Sequence, residues 1–341
     1  MRSTSGILII SIFSICSFSV TGQNVQKSDY TIYTADLEHF WQAYDALPTA
    51  KHHTDSVWLI QTLYLDRATE PFKKFIRKRD LTAENYVRII GAYPKFWTSI
   101  RPKLESLYTA TAAIDSLFSA MHKAFPDFIQ PDICFAVSCL NTGGTTAGNT
   151  LLLGSEIIMT DSTVNRSELN DWLKSVTDDK SDLIAYLAHE SMHIQQHGVA
   201  WWEMGKLIKY KSLSLLNTSV LEGTADFLTD TYLNVNINAH LQAYGLAHFD
   251  TLYTEFVSDH TAEPYAIYDW LYNGNSSLNR PADLGYFMGY MIAATYYYSS
   301  PDKTAAVKSL LKNAQYKKIA APFLASDPHQ ILQLVVKNSG H

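Results

Sequence analysis

Cysteine is scarce in this 341-residue chain, with three residues, Cys16, Cys134 and Cys139. Cys134 and Cys139 are the two that lie beyond the apolar N-terminus, and a continuous strand over 133–139 would hold their Cα atoms about 16 Å apart, beyond the roughly 7 Å limit for a bridge. Two free, buried thiols are expected. Charge is also sparse: 18% of residues are Asp, Glu, Lys or Arg, and the formal net charge is −6. That balance excludes a disordered chain and gives no footing for nucleic acid or an anionic membrane surface. The short basic cluster Lys73-Lys-Phe-Ile-Arg-Lys-Arg79 reads as the solvated face of a helix. The glycine-rich stretch Asn141-Thr-Gly-Gly-Thr-Thr-Ala-Gly-Asn149 lacks the G-K-[ST] ending of a phosphate loop, which excludes that mode of nucleotide binding. No internal repeat is present, and no uncharged apolar run reaches the roughly 20 residues an integral membrane span requires.

What is present starts at the N-terminus. Arg2 precedes the apolar run Ile7 to Val20, followed by Thr21-Gly-Gln23. This pattern predicts a secretory signal over 1–23 and a periplasmic or secreted mature protein. Cys16 is a lipid-attachment candidate, but Phe13-Ser-Ile before it is a poor lipobox and the apolar run continues past it, so export without an anchor is the preferred expectation. Residues 24–130 then read as a helical N-terminal region, with amphipathic patterns such as Val57 to Leu65 and Leu104 to Ala120 separated by Pro71, Pro94 and Pro102. The size of this region suggests a part that inhibits the region downstream or restricts its cleft to small peptides. Runs rich in β-formers at Ile133–Val137 and Thr150–Leu153 predict a hairpin or two strands of a small sheet. Helices return afterwards, including 284–298, 301–313 and 328–338. The fold class expected is α+β, predominantly helical, with 131–341 forming the region that carries chemistry.

That chemistry centres on Tyr186-Leu-Ala-His-Glu-Ser-Met-His-Ile194, in which His189, Glu190 and His193 form H-E-x-x-H on an apolar-periodic helix. Asp178, Asp179 and Ser181 are N-cap candidates and Gly198 a C-terminal stop. Residues four apart lie one turn apart on one face, so both imidazoles can reach one ion while Glu190 faces a water on it. A catalytic zinc needs a third protein ligand and an open position. His197 continues the stripe, but eight residues of helix rise about 12 Å, too far from His189 for a shared ion. The longer signature with a further Gly and His fails too, because Gln196 and Val199 occupy those places. In Val220-Leu-Glu-Gly-Thr-Ala-Asp-Phe-Leu228, read as the first turns of a second helix with Asn217 or Ser219 near its start, Glu222 is the third-ligand candidate. Asp226, four residues on, can orient His189 or His193.

These segments resemble the gluzincin metallopeptidases, in which H-E-x-x-H on one helix is completed by E-x-x-x-D on the next, here Glu222 and Asp226. Glu222-Gly-Thr-Ala-Asp226 and Leu284-Gly-Tyr-Phe-Met-Gly-Tyr290 are similar to a poorly characterised bacterial group of zinc-dependent peptidases related to a gliding-motility lipoprotein family. The resemblance covers roughly residues 130 to 300 and departs from thermolysin-like enzymes at Leu221, where those carry Asn. It implies one zinc ion per chain, a peptide or protein substrate, and hydrolysis by a zinc-activated water with Glu190 as general base. Tyr286 and Tyr290, beside Gly285 and Gly289 that permit close backbone approach, are the candidates for stabilising the oxyanion. The strand Leu151, Leu152, Leu153, Gly154 would offer an edge to an extended peptide. A binding protein that keeps this scaffold without hydrolysis is the alternative, and the presence of Glu190 favours the enzyme.

Overall fold

A computed structural model describes residues 30–177, 182–196, 214–261, 264–274, 280–312 and 315–339. The expected signal segment with Cys16, the N-cap candidates Asp178, Asp179 and Ser181, and His197 and Gly198 lie outside the described residues.

The N-terminal half is helical, as its periodicity requires: α1 (Ala35–Ala46), α2 (His53–Ile60) running on into a π-helical turn (Gln61–Leu65), α3 (Glu70–Arg79), α4 (Ala83–Ala92), α5 (Pro94–Ser106) and α6 (Thr111–Ala124). Thr69 and Thr82 start α3 and α4 by accepting from the backbone N–H of Phe72 and Asn85. The prolines separate less than expected. Pro94 does open α5, but Pro71 lies in the first turn of α3, where no N–H is needed, and Pro102 lies inside α5. Both Pro102 and Thr98, whose carbonyl loses its partner, face solvent, so water can replace the missing bond. The pattern read over Leu104 to Ala120 is in fact broken by a turn at Leu107–Thr109.

Phe40, Tyr64, Tyr86 and Trp97 pack into an aromatic cluster between these helices. Its tyrosines reach the sheet: the hydroxyls of Tyr64 and Tyr86 both donate to the Val137 carbonyl, at 3.1 and 2.5 Å.

The sheet has four strands, β1 (Ile32–Tyr33), β2 (Asp132–Ala136), β3 (Gly144–Thr146) and β4 (Thr150–Gly154), in the order β1-β2-β4-β3. β2 pairs in parallel with β1 and β4, in register Ile133 with Leu151 and Phe135 with Leu153, while β3 is antiparallel to β4. The two runs read from sequence are therefore neighbours but not a hairpin. Cys134 and Cys139 are unbonded and buried, and Cys139 has a left-handed backbone (φ 61°) beyond the end of β2.

Short α7 (Ser155–Ile158) and α8 (Asp171–Val176) lead to α9 (Leu183–Gln195), capped by Asp182, whose side chain accepts from Ile184 N. Then come α10 (Leu215–Leu233), α11 (Ala239–Ala247), α12 (Phe249–Asp259), α13 (Leu284–Ser299), α14 (Lys303–Leu310), α15 (Tyr316–Leu324) and α16 (Pro328–Ser339). α10 starts earlier than predicted, with Ser214 as its N-cap. α10 and α13 cross with their backbones in contact at Gly223 and Gly289: a Cβ on the first would overlap the Gly289–Tyr290 peptide, and one on the second the Ser219 carbonyl. One continuous apolar core runs from Leu37 in α1 to Val335 in α16. Among the described residues no helix is long and apolar enough to cross a membrane.

Candidate metal centre

α9 buries the face that carries His189, and α10 buries almost all of its first four turns, so the two helices meet across a dry seam into which their polar residues project. Three atoms converge there. His189 Nε2 lies 3.2 Å from His193 Nε2 and 3.3 Å from Glu222 Oε2, and His193 Nε2 lies 3.1 Å from the same oxygen. Three donors bound tetrahedrally at 2.0–2.1 Å from one ion stand about 3.3 Å from each other, so the triangle has the size a zinc ion requires.

The remaining hydrogen bonds fix which way the lone pairs point. His189 Nδ1 is 2.7 Å from Asp226 Oδ1, and Asp226 Oδ2 also accepts from Asn238 Nδ2 at 2.9 Å. His193 Nδ1 is 2.7 Å from Gln196 Oε1, an oxygen assigned by the Gln196 Nε2 donation to the Leu221 carbonyl at 2.7 Å. Both Nδ1 atoms face acceptors and carry the proton, which leaves both Nε2 lone pairs aimed at each other and at a carboxylate. A cation placed among them satisfies all three. Burial opposes ionisation of Glu222, yet the adjacent His193 and His189 outweigh it and hold the carboxyl well below the usual range. Burial likewise opposes charge on the two histidines, and the carboxylates outweigh it, Asp226 foremost for His189 and Glu222 for His193. The seam is built to hold positive charge.

The second oxygen of Glu222 accepts from the Tyr272 hydroxyl at 3.2 Å. Tyr272 is held by an interlocked turn: it and Asp283 both take left-handed backbones (φ 60° and 61°), Tyr272 N donates to Asp283 Oδ1, and Asp283 N donates to Asn273 Oδ1. Non-glycine residues occupy that region at a cost, which is commonly met at sites where a side chain must be aimed. Glu190 lies against the edge strand, where a Cβ on Gly144 would sit 2.7 Å from its Oε1. Gly143 similarly makes room for the Tyr186 ring.

The tyrosine candidates separate. The Tyr286 ring centre is 6.1 Å from that of His189, and among the described residues its hydroxyl has no hydrogen-bond partner. Tyr290, one turn further along α13, instead donates its hydroxyl to Asp230 Oδ2 at 2.6 Å and packs on Phe227, so it is committed to the α10–α13 packing and not to the ligands. The edge assigned to Leu151, Leu152, Leu153 and Gly154 is also corrected. β4 is paired on both sides and these three leucines are fully buried; the edge strand beside it is β3, across the glycines that sequence reading took only for a turn. Gln196, Asn238, Tyr272 and Arg79, whose Nη2 donates to the Gly144 carbonyl at 3.2 Å, were not anticipated.

Residues 169–317 match a family described as a predicted Zn-dependent protease (DUF2268). The matched segment contains His189, Glu190, His193, Gln196, Glu222, Asp226, Tyr272 and Tyr286, and leaves out the sheet and α3. No curated protein and no solved structure matches the chain.

Proposed function

We propose that this protein is an exported zinc-dependent peptidase, binding one zinc ion per chain through His189 Nε2, His193 Nε2 and a Glu222 oxygen. The observation that supports it most is the set of converging lone pairs with a carboxylate, Glu190, that is not one of the ligands. A bound zinc ion supplies a Lewis acid that acidifies water and polarises a carbonyl. The residues of the chain do the rest. Glu190, on the turn between the two histidines, accepts the proton of the attacking water and passes it to the leaving nitrogen. Tyr286, with its hydroxyl uncommitted, donates to the oxygen that gains charge. Tyr272 keeps the second oxygen of Glu222 occupied, so that one oxygen serves as ligand. An extended substrate lies along the half-buried β3 edge, beside Glu190. The N-terminal pattern of Arg2 followed by Ile7 to Val20 supports export of the mature chain.

The test measures metal content by mass spectrometry beside cleavage of a mixed peptide library. Wild type is expected to carry about one zinc per chain, Glu222→Ala to lose it, and Glu190→Gln to keep it without cleaving. Zinc with no cleavage by wild type would remove the peptidase reading.

A further inference from the structure

The basic cluster at the end of α3 divides in two. Lys73, Lys74 and Arg77 face solvent, whereas Arg79, in the last turn before Asp80 reverses the chain (φ 52°), points inward past the sheet edge. One of its five N–H groups is accounted for, the Nη2 donation to the Gly144 carbonyl. Its Nε is sealed from solvent with no acceptor, and no carboxylate among the described residues pairs with it. Burial pulls its pKa down, and the groups that restore it are Glu190, Tyr272 and Tyr286, each of which stands in the candidate site. A guanidinium stays charged under all ordinary conditions. Here it has given up water for one carbonyl, and the carboxylate that acts on it, Glu190, makes no direct ion pair with it, in contrast to Arg101, which holds Asp45 through two nitrogens, and Arg280, which holds Glu255.

We propose that Arg79 forms a carboxylate-binding subsite beside the candidate metal centre, making a negatively charged carboxylate on the peptide part of what the cleft selects. This rests on the peptidase reading for the nature of the ligand. The anchoring bond to Gly144 fixes the guanidinium to the strand that lies over Glu190, so a carboxylate held there belongs to a chain lying along that strand. The planar fork of arginine meets a carboxylate with two parallel bonds, which a single oxyanion does not use. The carboxylate is either the free end of the peptide or an Asp or Glu side chain. Arg79 stands outside the segment that matches the protease family, so the subsite belongs to this chain's helical half.

Binding, separated from turnover, tests it. The full zinc-loaded chain carrying Glu190→Gln is titrated with three dye-labelled alanine–leucine peptides, read by fluorescence anisotropy: one with a free C-terminus, one with a C-terminal amide, and one amide with a single internal Glu. One carboxylate form is expected to bind at least about tenfold tighter than the plain amide, and which one identifies the source. Adding Arg79→Met should bring that ratio to about one, with Arg79→Lys intermediate because it keeps charge and loses the fork. Equal binding of all three peptides, or a ratio that survives Arg79→Met in a protein that melts like its parent, overturns the subsite. A variant that slows wild-type cleavage of acid and amide peptides equally also overturns it, by moving Arg79 to the reacting oxygen. Should wild type retain the preference yet cleave nothing, the peptidase reading falls and the subsite stands; cleavage without preference does the reverse.

Discussion

Asp226 and Gln196 accept hydrogen bonds from the Nδ1–H groups of His189 and His193, and neither would touch the metal. Removing either frees its imidazole to turn, and each single change to Ala is expected to weaken zinc binding about 10–100-fold in competition with a chromogenic chelator. An unchanged affinity for both variants would mean that packing alone orients the rings. Asp226 was legible in the sequence and Gln196 was not, for a physical reason. Within a helix the spacing of four residues fixes which side chains share a face, so His189 with His193 and Glu222 with Asp226 could be paired from periodicity, and the resemblance to gluzincins implied that the two pairs meet. Gln196 acts from the C-cap of α9, where the backbone leaves the helix (ψ 88°) and periodicity no longer applies. Tyr272 and Arg79 reach the site from other elements, and nothing local in their sequence marks them. Tyr286 and Tyr290 share a helix face and were indistinguishable until Asp230 was seen to engage one of them.

Among the helices, the contact that holds the centre in place is the crossing of α10 and α13. Gly223 is next to Glu222, and any side chain there or at Gly289 must force the two backbones apart. Gly223→Ala and Gly289→Ala are each expected to destabilise the fold by about 3 kcal/mol, read from urea unfolding. A loss below about 1 kcal/mol would show that the crossing can relax. The glycines at Gly285 and Gly289 could be read as sites of close approach, but their partner on α10 could not, since helix pairing is a tertiary property. The strands were legible as strands and not as a sheet. β2 and β4 are buried on nearly every residue, the pattern of strands covered on both faces, and such runs pair in parallel as readily as in a hairpin.

Taken as one body, the molecule has a core that holds its two described thiols away from water. Burial, with Asp36 beside it, pushes Cys134 well above the ordinary thiol range, and burial pushes Cys139 up to about 12. Neither is expected to react with a disulfide reagent at pH 8 in the native state, and both should react in denaturant. The sign for stability follows. The unfolded chain loses these protons near pH 8.5 and the folded one does not, so this contribution is fully present below about pH 8.5 and declines above it. The decline is about 1.4 kcal/mol per pH unit for each thiol, continuing towards pH 12 for Cys139. Urea midpoints that stay level between pH 8 and 10 would contradict it. The predominance of helix over a small sheet was readable from composition and periodicity; the mixed strand order was not. The placing of Arg79 and Gly144 upstream of all three candidate ligands has a consequence in time. Ribosomal synthesis makes the Arg79 and Gly144 side of the candidate site first, then the two histidines, and Glu222 last. An ion held by all three candidate ligands therefore needs α10 in place, and a chain stopped short of α10 would carry the two histidines without their third partner.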